Sequence, residues 1–185
     1  MKLTDQQIIK APRNLVWKGL NDPKVLQQCI PGCQEVVSTS PTTMKAKVVI
    51  KLGPVKAAFS GNVELSEIKA PESCRISGKG EGGLAGFATG GAFIKLTEID
   101  ANTTQMDYDV DAQIGGKMAM LGSRLINSTA SSLAEKFFEK FASVIKAENA
   151  AIKTAPAKKT IVKKAIKKVA TKATKKAAKK VARKK

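Results

Sequence analysis

The sequence predicts an α+β fold in which a curved antiparallel sheet of about seven strands wraps around one long C-terminal helix, with two short helices after the first strand. Two patterns carry this prediction. Apolar and polar residues alternate through most of residues 35–115, as in strands with one buried face. From Gly116 to about Lys146, apolar residues recur instead at intervals of three and four, the spacing of an amphipathic helix.

The opening elements follow from local signals. Residues 2–10 read as a short strand, and Pro12 suits the first turn of a helix that ends near Leu20. Asp22 and Pro23 are residue types preferred at the N-cap and first position of a helix, so a second short helix is predicted up to about Cys29.

The central strands form an antiparallel meander. Residues 44–52 and 55–65 alternate strongly, and Gly53-Pro54 between them marks a turn. The remaining strands are predicted around residues 74–77, 87–99 and 104–114. Each should turn one apolar face inward and one polar face to solvent.

A glycine-rich stretch at residues 78–91, GKGEGGLAGFATGG, contains G-x-G-x-x-G at Gly78, Gly80 and Gly83. Asp100 follows at a distance that suits a ribose-binding acid. A dinucleotide site needs a helix directly behind its glycines, but residues 92–99 read as a strand. We therefore expect glycines at close-packed or bent strand positions, where a Cβ would clash.

The formal charge of +18 is unevenly distributed. Residues 151–185 hold fifteen of the 33 basic residues and no acid, which leaves 18 basic and 15 acidic residues before them. The sequence thus predicts a nearly neutral domain over residues 1–148 and a Lys/Ala-rich cationic tail over residues 149–185, disordered until an anionic partner induces helix. The residues predicted to bind a membrane or polyanion are Lys158, Lys159, Lys163, Lys164, Lys167, Lys168, Lys172, Lys175, Lys176, Lys179, Lys180, Arg183, Lys184 and Lys185.

Neither a signal peptide nor a transmembrane segment is recognisable, so we expect a cytoplasmic protein. Cys29, Cys33 and Cys74, without any histidine, are expected to be buried or half-buried free thiols and not a zinc site. No metal and no cofactor are predicted.

Enzymatic activity is not expected. Histidine, the commonest general base, is absent, and Asp107, Asp109 and Asp111 occupy the strand positions that should face solvent. We therefore predict no catalytic residue. An inward-pointing carboxylate beside a serine or tyrosine would reopen that question.

Five local motifs, in order along residues 1–147, resemble the G-subunit family of carbon monoxide dehydrogenase. They are Asp22-Pro23-x-x-Leu26, Ile30-Pro31-Gly32-Cys33, Gly53-Pro54-Val55-Lys56-Ala57-x-Phe59-x-Gly61, Gly80-x-Gly82-Gly83-x-Ala85-Gly86-Phe87, and Gly115-Gly116-Lys117-x-Ala119-x-Leu121-Gly122-x-Arg124-Leu125-Ile126. The family belongs to the helix-grip (SRPBCC) superfamily, with START-like and Bet v 1-like proteins.

The resemblance implies a non-catalytic accessory of a molybdenum hydroxylase of the carbon monoxide dehydrogenase type, peripheral at the inner face of the cytoplasmic membrane. It also implies an apolar cavity between sheet and helix, for which we expect a quinone, or failing that a lipid, as ligand. The candidate lining residues are Ala57, Phe59, Gly86, Phe87, Ile94, Met106, Tyr108, Leu121 and Leu125. A solid core without a cavity, and nucleic-acid binding through the tail, remain the alternatives.

Overall fold

The computed structural model describes residues 1–52 and 55–154. The tail residues named above, like the predicted Gly53-Pro54 turn, lie outside the described residues. In chain order the elements are β1 (Lys2–Ile9), α1 (Arg13–Leu20), α2 (Pro23–Cys29), β2 (Cys33–Ser40), β3 (Thr43–Leu52), β4 (Val55–Lys69), β5 (Ser73–Glu81), a first 3₁₀ turn (Gly83–Ala85), β6 (Phe87–Asp100), β7 (Thr103–Gly115), a second 3₁₀ helix (Gly116–Leu121) and α3 (Ser123–Thr154). Met1–Asn149 form a compact unit, to which the following description applies.

The strands form one seven-stranded antiparallel sheet in the order β1-β7-β6-β5-β4-β3-β2. Strands β2 to β7 are sequential neighbours, whereas β1 pairs with β7, where Leu3 lies opposite Val110. The predicted fold class, with about seven strands and two short helices after the first, is confirmed.

Local capping explains where the short helices begin. The Asp22 carboxylate accepts a hydrogen bond from the Lys24 backbone N–H at 2.8 Å, and Pro23 is the first residue of α2, as predicted. Pro12 occupies the N-cap position of α1, so that helix starts one residue after the proline.

The long helix starts later than predicted, at Ser123 and not at Gly116. Gly116 and Gly122 have φ values of +75° and +84°, which bound the second 3₁₀ helix. Met118 and Leu121 are three residues apart, a spacing that places side chains on one side of a 3₁₀ helix as well. The apolar pattern alone therefore could not locate the break.

The glycine-rich stretch lies in strands and their connecting turn, as expected. Gly78 and Gly80 belong to β5, while Gly83, with φ of +58°, starts the first 3₁₀ turn. A strand, β6, follows where a dinucleotide site would need a helix. The G-x-G-x-x-G motif therefore has a structural role here.

Two other sequence expectations are confirmed. Along β7, Met106 and Tyr108 are buried while Asp109 and Asp111 are exposed, so the acidic residues alternate away from the core. Cys29 and Cys74 are buried and Cys33 is half-buried, and all three are free thiols.

The core consists of two separate clusters. The larger cluster packs α1, α2 and the C-terminal half of α3 on the sheet, and its most enclosed large side chains are Val16, Leu96, Met106, Phe141 and Ile145. The smaller one, which we call the distal cluster, consists of Ala57, Phe59, Met118 and Ile126. Between the two clusters, sheet and helix are not filled by side chains.

Candidate functional site: an apolar cavity

A cavity of about 520 Å³ lies between the inner face of the sheet and helix α3. The helix lines it with Leu133, Ala134, Phe137 and Phe138. The sheet residues in its wall include Leu3, Val48, Ile50, Phe59, Ile94 and Tyr108. The wall is therefore formed almost wholly by apolar groups.

The cavity exists because small residues lie side by side in the sheet. Gly61 of β4 is opposite Gly80 of β5, which is opposite Ala88 of β6. Two residues back along β5, Gly78 is opposite Gly90. Neighbouring residues on one face of a sheet share the same volume above it, so a row without side chains leaves that volume empty.

Gly80 gives a direct measure of the free space. A Cβ built there would lie 3.9 Å from Phe59 Cδ1 and 4.0 Å from the Ala88 carbonyl oxygen, which is ordinary van der Waals separation. Gly61 differs, because its Cβ would lie 2.7 Å from the Lys79 carbonyl oxygen. A Cβ therefore fits at Gly80 without a clash, whereas Gly61 is required by backbone packing.

A second apolar cavity of about 250 Å³ adjoins the first. Ile94, Tyr108 and Phe138 line both, and the smaller one reaches Leu20 and Met106 under the short helices. The two cavities together extend the apolar interior from the distal cluster towards α1 and α2.

Two of the polar residues in the wall, Tyr108 and Lys79, have partners of their own. The Tyr108 hydroxyl donates to Asp5 Oδ2 at 3.3 Å, and its ring packs against Phe138 with centroids 4.9 Å apart. Burial, reinforced by the Asp5 carboxylate, raises the pKa of Tyr108, so the phenol stays protonated at neutral pH. Lys79, the one charged residue among the described lining, places its ammonium 2.9 Å from the Glu81 carboxylate.

The lining residues that were predicted from the sequence lie in three places in the structure. Phe59, Ile94 and Tyr108 line the larger cavity, and Met106 lines the smaller one. Ala57 and Leu121 pack in or against the distal cluster. Leu125 is half-buried at the start of α3 and is not part of either wall.

Phe87 and Gly86, also predicted as lining residues, lie outside both walls. Phe87 is 45 % exposed, because strand β6 turns its even-numbered residues Ala88 and Ile94 inward and its odd-numbered ones outward. Gly86 has φ of +118°, and a Cβ there would collide with the Gly115 carbonyl oxygen. It allows close approach of two backbone segments and leaves no cavity space.

Other lining residues were not picked out from the sequence as cavity residues. Gly61, Ala92 and Phe138 face the interior, and parity along the strands could have identified the first two. Phe138 lies beside the apolar positions that recur at intervals of three and four along the predicted helix. The buried face of the helix is therefore wider than that spacing indicated.

A curved antiparallel sheet that encloses an apolar cavity against one long helix defines the helix-grip class of ligand-binding folds. The ZhuI aromatase/cyclase from Streptomyces sp. R1128 has the same fold, with a TM-score of 0.61 at 10% identity over 79% of this chain and 93% of that chain. A START superfamily protein from Mycobacterium smegmatis gives a TM-score of 0.61 at 10% identity, over 78% of this chain and 97% of that chain.

Residues 6–146 match the family model of CoxG, the G-subunit of carbon monoxide dehydrogenase. The chain belongs to this family. A conserved protein from Geobacillus kaustophilus, of known crystal structure, is 32% identical over 79% of this chain and 95% of that chain, with a TM-score of 0.74. Among curated proteins no match was found.

Two further properties concern the described residues alone. Within residues 1–52 and 55–154, no helix has the length and apolar character needed to cross a membrane. Across the same residues, no three side chains of the metal-ligating types come together.

Proposed function

We propose that this protein is a non-catalytic accessory of a molybdenum hydroxylase of the carbon monoxide dehydrogenase type and carries a water-insoluble molecule in its cavity. A quinone is the first candidate and a lipid acyl chain the second. The observation that supports this most strongly is the apolar cavity between sheet and helix.

The cavity has the size and chemistry of a carrier site. Its volume of about 520 Å³ falls within the roughly 300–1,000 Å³ of typical ligand pockets. Burial of apolar surface at about 25 cal/mol per Å² would drive binding. An isoprenoid or acyl chain offers such surface, whereas a wall that is almost wholly apolar would bind a strongly polar substrate poorly.

The site lacks the groups that catalysis would need. The chain contains no histidine, and the raised pKa of Tyr108 disfavours a phenolate base. Asp5, the carboxylate that accepts the hydrogen bond of that phenol, is exposed and is not among the residues that line either cavity. One structural neighbour is an aromatase/cyclase, but its 10% identity concerns the fold alone.

The proposal also includes a partner enzyme and attachment to the membrane. An enzyme whose electron-donating centre lies outside the bilayer can reduce a membrane quinone only if the quinone is brought to it, and a carrier held at the inner face of the cytoplasmic membrane would do this. Each tail Lys or Arg near an anionic leaflet contributes about 1 kcal/mol, so the fifteen in residues 151–185 support reversible recruitment. The same charge makes nucleic acid the alternative partner of the tail.

The carrier function is tested by extraction. Protein purified from a quinone-producing cell should release a quinone or a lipid into organic solvent, and native mass spectrometry should show one bound molecule per chain. Titration with decylubiquinone and with oleate then ranks the two ligand classes. Recovery of neither class, together with no binding of either probe, would refute the carrier function.

Membrane binding through the tail is tested by sedimentation with anionic vesicles. Full-length protein should sediment at low salt and be released as salt rises. A variant truncated after Ala150 that binds equally well would show that the tail is not the tether. Stronger retention by duplex DNA than by vesicles at the same ionic strength would favour nucleic acid.

A further inference from the structure

The most exposed apolar side chains of the described chain lie at one end of the sheet. Leu84, in the first 3₁₀ turn, is 86 % exposed, and Met120, in the second 3₁₀ helix, is 84 % exposed. The two segments touch, since a Cβ built on Gly116 would lie 2.5 Å from the Cα of Gly86. We call Leu84 and Met120 the apolar tips.

Cations surround the apolar tips. Lys56 and Lys117 directly precede Ala57 and Met118, which pack together in the distal cluster, so both lysines lie at this end. Lys51 lies opposite Lys56 across the β3–β4 pair, and Arg124 opens helix α3. All four are exposed, and within residues 1–52 and 55–154 none of them forms an ion pair.

Acidic side chains at this end are few and engaged. Glu81, which precedes the first 3₁₀ turn, is bound to Lys79 at 2.9 Å. The first turn of α3 contains no acid, and its nearest acid, Glu135, lies about 18 Å farther along the helix. The end therefore carries net positive charge around two protruding apolar side chains.

The opposite end of the sheet differs in its charge. Ile99 is 54 % exposed there, close to the β6–β7 turn. Its cations lie among acidic residues. Arg13 lies 3.8 Å from both Glu72 and Glu98, and the exposed Lys10 and Lys69, which form no ion pair within residues 1–52 and 55–154, share this end with Asp100. An exposed apolar residue is thus present at both ends. Among the described residues, however, the four cations around Leu84 and Met120 have no acid paired with them, whereas those near Ile99 lie among acids.

We propose that the end bearing Leu84 and Met120 inserts into an anionic lipid bilayer. The apolar tips would enter the boundary between headgroups and acyl chains, while Lys51, Lys56, Lys117 and Arg124 would contact lipid phosphates. Two convex tips on separate turns fit a deformable lipid surface. Their surrounding positive charge selects anionic headgroups.

This orientation connects the bilayer with the cavity. Gly80 and Ala88, on either side of the first 3₁₀ turn, both line the larger cavity. Insertion of Leu84 would place that part of the wall next to the lipid. The inference goes beyond the proposed carrier function, because insertion can be measured whether or not the cavity holds a ligand.

Fluorescence quenching tests the insertion directly. Full-length Leu84→Trp and the matched control Ile99→Trp are bound to phosphatidylglycerol vesicles whose acyl chains carry bromine, with Trp17 as a background common to both. The tryptophan introduced at position 84 should be quenched several-fold more than the one at position 99. Equal quenching, or no quenching of Leu84→Trp on vesicle-bound protein, would overturn the proposal and leave a protein partner for the tips.

A second pair of variants measures the contribution to binding. Leu84→Ser/Met120→Ser should lower vesicle partitioning about tenfold or more at a salt concentration that weakens the tail, whereas Ile68→Ser/Ile99→Ser should leave it unchanged. Equal partitioning of both double variants would contradict the proposal. Extraction of bound quinone or lipid from the same proteins reports separately on the carrier function.

Discussion

Replacing Gly80 with leucine should fill the apolar cavity while the sheet keeps its register. The Cβ position has no neighbour closer than 3.9 Å, and Gly80 lines the larger cavity, so the rest of the side chain can extend into that cavity. Burying a leucine side chain stabilises a fold by about 1.5–3 kcal/mol. For a chain of this length each kcal/mol raises Tm by about 2–4 °C, so Gly80→Leu should melt several degrees higher than wild type.

The same substitution should prevent ligand uptake. The four carbons of the leucine side chain occupy room for about four ligand methylenes, each contributing about 0.8 kcal/mol, so affinity for a cavity-filling ligand should fall about 200-fold. The assay is a titration with decylubiquinone or oleate, accompanied by thermal melting. Ala58→Leu, on the exposed face of β4, is the control and should bind like wild type.

Two outcomes would refute this reasoning. Unchanged affinity in a folded, stabilised Gly80→Leu protein would mean that the ligand lies outside the cavity. A lower Tm would mean that the space beside Gly80 is smaller than the structure gives. Either result can be told apart from a failure of the Gly80→Leu protein to fold, because the control Ala58→Leu would still fold.

Three further perturbations test separate features. Gly86→Trp should destabilise the protein by at least about 3 kcal/mol, because φ of +118° with ψ of −151° is a conformation reserved for glycine; a normal urea midpoint would contradict this. Thr104→Val should cost about 1–3 kcal/mol in urea unfolding, since the buried hydroxyl donates to the Ala11 carbonyl at 2.8 Å; an unchanged midpoint would show that the bond contributes nothing. Cys33 should be the first of the three thiols to react with a disulfide reagent, at a rate still rising above about pH 8.5, because partial burial raises its pKa; simultaneous labelling of all three in folded protein would disprove it.

Much of the fold could be read from local sequence because it depends on period and on single residues. Alternation predicted the strands, and Asp22-Pro23 predicted the start of α2. Alternation also predicted that Tyr108 faces inward and Asp109 outward. These features depend on which side of an element a residue occupies, and that is fixed by its number along the chain.

The cavity depended on contacts between residues far apart in sequence. One row is formed by Gly61, Gly80 and Ala88 because of the register between β4, β5 and β6. The sequence of a single strand does not specify that register. The position of Phe87 outside the cavity wall, by contrast, follows from the sequence of one strand, because Phe87 and Ile94 are an odd number of residues apart in β6 and so face opposite sides of the sheet.

The sequence by itself determined the α+β class, the order of the elements, the family resemblance and the division of charge between domain and tail. Only the tertiary structure decided that Gly80 lines a cavity while Gly86 is held against another backbone segment, and that Leu84 and Met120 protrude together among cations. The physical reason is that a glycine or an apolar residue has the same local preferences in either setting. Whether the volume beside it is empty, filled or solvent depends on which distant segments the fold brings there.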